Sequence, residues 1–69
     1  MDEQRISGQV TDFDFAVGLG HIESENGVRH LFHCLEIADG TRDIPVGVRV
    51  SFVPVTRFGH IEAFDIRPL

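Results

Sequence analysis

The segment Gly18-Leu19-Gly20-His21-Ile22 constrains this chain more than any other, because its residues alternate with the period of a β-strand while two glycines interrupt it. A glycine inside a strand marks a bulge, a tight bend, or a close approach of another backbone or ligand. About one hairpin later, Leu31-Phe32-His33 repeats the alternation. No window of the chain sustains an apolar 3.6-residue period. Apolar residues instead alternate over short spans divided by turn residues, which reads as all-β.

Five strands follow from that pattern. The first runs from about Arg5 to Phe15, with Ile6, Gly8 and Val10 on one face. Phe13 and Phe15 fall out of phase with that set, so a bulge near Thr11-Asp12 is expected. Strands two and three, about Gly18 to Ser24 and Val28 to Cys34, flank a three-residue loop, Glu25-Asn26-Gly27, with glycine where a left-handed conformation is needed. That loop sets Leu19 opposite His33 and His21 opposite Leu31. These four share one sheet face, while Gly20, Ile22, His30 and Phe32 share the other, the core side. The stretch Cys34 to Gly47 is too long for a hairpin and predicts one helical turn near Leu35-Glu36-Ile37 and a turn at Asp39-Gly40. Strand four, Val48 to about Thr56, turns Val48, Val50 and Phe52 inward, and Pro54 marks an edge or bulge. Strand five, Ile61 to Ile66, offers Phe64 and Ile66 as its inward pair. Five short strands so spaced predict an antiparallel oligonucleotide-binding-type barrel.

The 69 residues leave room for one domain, residues 1–69, and a chain this short buries only about 60% of its unfolded surface. Its hydrophobic content of 42% and charged content of 25% are those of a folded globular domain, not a disordered one. The start, Met1-Asp2-Glu3-Gln4-Arg5, is polar, with no apolar run behind it, so neither a secretory leader nor a membrane span is expected. A lone Cys34 forms no internal disulfide, and a reducing cytoplasm is the natural setting. Eleven acids oppose six bases, all arginine, for a net charge of −5. That balance argues against strong phosphate-driven binding. It leaves room for single-strand binding by stacking, worth about 1–3 kcal/mol per base without net positive charge.

Gly8-x-Val10-x-x-Phe13, then Gly18-x-Gly20-x-Ile22 and His33, resemble a bacterial cold-shock domain, and the likeness runs from about Ile6 to Ile66. It implies a five-stranded barrel that binds single-stranded RNA or DNA by stacking bases on aromatic side chains. The binding motifs are degenerate. The family typically reads K-G-F-G-F-I where this chain has Val17-Gly18-Leu19-Gly20-His21-Ile22, and V-F-V-H-F where it has His30-Leu31-Phe32-His33-Cys34. Leu19, His21, Leu31 and Cys34 replace phenylalanines, Asp12 replaces a tryptophan, and Thr41 lies near the place of a further aromatic. Phe13 and His33 are retained, and His21 keeps a flat ring.

The resemblance therefore implies a nucleic-acid face of Phe13, Leu19, His21, Leu31 and His33, with Phe13, His21 and His33 stacking and the leucines giving apolar contact; read from the pattern alone, Phe13 is equally a barrel-rim core residue. Losing four or five rings at about 1–3 kcal/mol each takes a micromolar binder to millimolar or worse, since each 1.4 kcal/mol is tenfold. Asp12 sets a repelling charge where a base would lie. The alternative is a protein-interaction or homodimer module, in which Leu19 and Leu31, joined by Val53 and Val55, form an apolar docking patch. His30 falls on the core side where a valine is usual, and a partly buried, hydrogen-bonded imidazole is expected there, its protonation unfavourable. No metal site follows, because strand residues three apart, such as His30 and His33, point to opposite faces. No cofactor is implied and no catalytic pairing appears. Gly18-x-Gly20 opens no helix and is no dinucleotide fingerprint.

Overall fold

The structure, a computed structural model, describes residues 4–69; the acidic start at residues 1–3 lies outside them. Five strands close into one barrel: β1 (Ile6–Asp14), β2 (Leu19–Ser24), β3 (Arg29–His33), β4 (Arg49–Arg57) and β5 (His60–Pro68), in the order β1-β2-β3-β5-β4. All neighbours are antiparallel except β3 and β5, which run parallel where Leu31 meets Glu62. A single 3-10 turn, Cys34–Glu36, begins the long connection to β4, within one residue of the helical turn expected there.

The expected register holds. β2 and β3 pair Leu19 with His33, Gly20 with Phe32, His21 with Leu31 and Ile22 with His30. Gly27 closes their loop at a φ of 87°, the left-handed conformation that glycine adopts without cost. β1 pairs with both β2 and β4, and its register shifts between Val10 and Asp12, the bulge that the change of phase demands. Thr11, the extra residue, donates its hydroxyl to the His21 carbonyl at 3.2 Å.

Alternation then sorts the side chains. Val10, Ile22, Phe32, Val50 and Phe52 are buried on the inner face, and Ile37 and Ile44 from the long connection close the barrel's interior. Each such side chain contributes about 1.5–3 kcal/mol by leaving water. Pro54 lies where β4 has run past the start of β1, whose Ile6 pairs with Phe52, so among the described residues β5 is its only strand neighbour and the missing N–H costs no ladder bond.

Two expectations fail. The inward pair of β5 is Ala63 and Ile66, both fully buried, and Phe64 instead faces outward beneath the Arg57 guanidinium, 5.4 Å from its ring centre. The cause is a second bulge: Asp65 adopts a φ of 52°, and the β4–β5 register slips between Ser51 and Val53. Arg5 fastens that bulge, donating to the Asp65 carbonyl at 2.7 Å and carboxylate at 2.9 Å. His30 is inward as expected, but 3% exposed rather than partly so, and neither ring nitrogen has a hydrogen-bond partner among the described residues. It packs edge-on to Phe52 at 4.9 Å, with apolar Ile22 opposite it in the ladder.

Candidate nucleic-acid interface

Period-two geometry places Leu19 and His21 of β2 beside His33 and Leu31 of β3 on the outer face. Asp12 of β1 joins them as the ladder partner of His21. Four of the five expected site residues are thus together on one surface. Phe13 is not: it pairs with Gly20 on the inner side, half-buried, and its ring stacks parallel to Phe32 at 5.7 Å. Gly20 makes room for this arrangement. A Cβ there would lie 2.8 Å from the Phe32 ring and 2.5 Å from the Asp12 carbonyl oxygen.

Asp12 does not stand alone on the face. Its carboxylate accepts from His21 Nδ1 at 2.9 Å and from Arg29 Nη2 at 2.8 Å, with Arg29 reaching across β2 from β3. The bond from His21 does most to hold the Asp12 carboxyl below its usual range; desolvation opposes it, and the bond from Arg29 adds to the lowering. A carboxylate can only accept, so the His21 Nδ1 carries the proton. In the neutral ring, Nε2 is then an acceptor. The 3.3 Å approach of Arg29 Nη2 to the same Nδ1 joins two donors and is no bond.

His33 has the opposite tautomer. Its Nδ1 accepts from the Leu35 N–H at 3.1 Å, capping the 3-10 turn, so Nε2 carries the hydrogen. The two histidines therefore offer one acceptor and one donor, complementary to the mixed polar edge of a base.

Next to this face, the β4–β5 hairpin forms one wall of a groove lined by His21, Arg29, Leu31, Gly59, His60 and Ile61. Phe58 at its tip is 93% exposed. Phe15, in the β1–β2 turn at the other end of the face, is 68% exposed. Sequence reasoning passed over Phe58, His60 and Ile61. The signal was an aromatic ring beside glycine in a tight turn, where polar residues are usual. Arg57 forms no ion pair among the described residues, whereas Arg29, Arg49 and Arg67 are each bonded to a carboxylate. No group of three or more histidine, cysteine, aspartate or glutamate side chains among the described residues could hold a metal ion. No described helix is long and apolar enough to cross a membrane.

A closed five-stranded barrel with β3 and β5 parallel, carrying polar and apolar side chains on its outer β1–β3 surface, defines an oligonucleotide-binding-fold domain. No family sequence model and no curated protein sequence matches the chain. Among solved structures, the Drosophila Unr CSD456 structure superimposes with a TM-score of 0.82 and 26% identity over 97% of this chain. The chain spans 27% of the length of that structure. Its fold is that of a cold-shock domain, a nucleic-acid-binding fold.

Proposed function

We propose that this chain is a non-enzymatic, single-stranded RNA- or DNA-binding domain that holds its ligand weakly through the outer face of β1–β3. The superposition on a cold-shock-domain structure over nearly the whole chain carries this reading. It is supported by the convergence of Leu19, His21, Leu31 and His33 on one surface. Weakness follows from chemistry, since leucines and ion-paired groups occupy positions where stacked rings would each contribute about 1–3 kcal/mol. The Asp12 charge, expected to repel, is paired with the Arg29 guanidinium and hydrogen-bonded by His21, so the face tolerates a polyanion better than its net charge suggests. A half-buried, free Cys34 accords with a reducing cytoplasm.

The test is a fluorescence anisotropy titration of labelled mixed-sequence single-stranded DNA and RNA pools with the purified chain. Saturable binding in the high-micromolar to millimolar range is expected. No binding to either pool at millimolar protein would overturn the reading.

A further inference from the structure

The β4–β5 hairpin carries a residue that the fold itself does not want. Phe58 and Gly59 both have positive φ, 50° and 78°, the pattern of a two-residue type I′ turn between paired Arg57 and His60. That turn favours Asn-Gly, and a bulky ring in the left-handed region is a backbone outlier. The Phe58 side chain gains no burial in return, since it is 93% exposed. Strain that persists without a packing reason points to a role outside the fold.

What surrounds Phe58 fits a single strand. The groove beside it offers Leu31 and Ile61 as apolar surface and His21, Arg29 and His60 as polar groups. Arg57, the neighbour of Phe58, has no carboxylate partner among the described residues and is held in place over the Phe64 ring. Glu62, half-buried on the same outer surface, is the acidic group closest along β5. A groove of mixed polar and apolar lining beside an exposed ring, with the Arg57 guanidinium on the residue next to that ring, matches what a base and its phosphate require.

We propose that the stacking surface of this domain has moved from the sheet to the hairpin: one base stacks on Phe58, its neighbour enters the groove against Leu31 and His60, and Arg57 meets the intervening phosphate. This rests on the single-strand-binding reading above and names the place where that binding is concentrated.

The chain contains neither tryptophan nor tyrosine, so Phe58→Trp supplies a single fluorophore at the tip. Titration with oligo-dT and oligo-U is expected to quench its emission in step with anisotropy of the labelled oligonucleotide. Phe58→Asn, which suits the turn better, is expected to raise the melting temperature while weakening binding about fivefold or more. Arg57→Gln is expected to weaken binding and flatten its salt dependence. If wild type binds but the emission of the Phe58→Trp variant stays constant and Phe58→Asn binds as wild type does, the hairpin is not the site, and the broader reading stands. If wild type binds neither oligonucleotide, both fall.

Discussion

Asp12 and His21 face each other across the β1–β2 ladder, and the Nδ1–H of His21 donates to the Asp12 carboxylate at 2.9 Å, with Arg29 on the other oxygen at 2.8 Å. A carboxylate on a nucleic-acid face should repel phosphate, yet here it consumes a cation that would otherwise attract one. Asp12→Asn removes the repulsion and releases Arg29 together. The variant should bind single strands a few-fold more tightly. Its plot of log K against log salt should steepen by about 0.7, the increment for one added phosphate contact on a single strand. Wild type should show a shallow slope worth one or two phosphates. An unchanged slope in Asp12→Asn would mean that Arg29 does not reach the ligand.

Leu19 and Leu31 share the outer face with His21 and His33, and Leu19 is 38% exposed. Leu19→Phe with Leu31→Phe restores two rings without touching the core. The pair should strengthen single-strand binding by roughly 2 kcal/mol or more, about thirtyfold, with little change in stability. Anisotropy is the measurement. A double variant no tighter than wild type would show that this face is not a stacking platform.

His33 has two tasks that one pair of variants separates. Its Nδ1 caps the 3-10 turn through the Leu35 N–H, and its ring lies on the proposed face. His33→Ala should cost up to about 1 kcal/mol, a fall of roughly 4–8 °C in Tm for a domain this small. His33→Asn restores an acceptor for the cap but no imidazole. Its Tm should therefore recover while lost affinity stays lost. Recovery of both would assign His33 to structure alone.

The barrel was legible because period-two alternation and turn glycines act locally: the β2–β3 register follows from three loop residues, Glu25-Asn26-Gly27. The β1 bulge was legible for the same reason, as a change of phase between Val10 and Phe13. The β5 bulge was not, because Asp65 adopts its positive φ without a glycine to announce it and is fastened by Arg5, 60 residues away in sequence. Phe64 was accordingly turned to the wrong side. Of the two roles open to Phe13, stacking ring or barrel-rim core residue, the sequence pattern does not choose, because the choice depends on Phe32, on which the ring stacks from across β2. The compensation of Asp12 depended on Arg29 reaching over from the third strand, a tertiary relation that no local pattern encodes.

His30 ties stability to pH. At 3% exposure it leaves a ring donor and a ring acceptor unpaired among the described residues, and burial pushes its pKa below the usual 6.5. The folded state thus prefers the neutral ring, whereas the unfolded chain takes up a proton near pH 6.5. Because the unfolded state binds more protons below that pH, stability is fully present above it and falls as pH drops toward the lowered folded value. His30→Leu, of similar volume, removes both unpaired polar atoms and the proton linkage. It should stabilise the domain by about 1–3 kcal/mol at pH 7.5, and by more at pH 5.5, where only wild type bears the cost of keeping this ring neutral. Asp12, Glu25 and Asp65, whose carboxyls are held low by their hydrogen bonds, lose their contributions only at more acid pH and do so equally in both proteins. Urea unfolding of wild type and His30→Leu at pH 7.5, 6.5 and 5.5 reads the difference directly. A stability gap that does not widen as pH falls would show that His30 is not held neutral in the core.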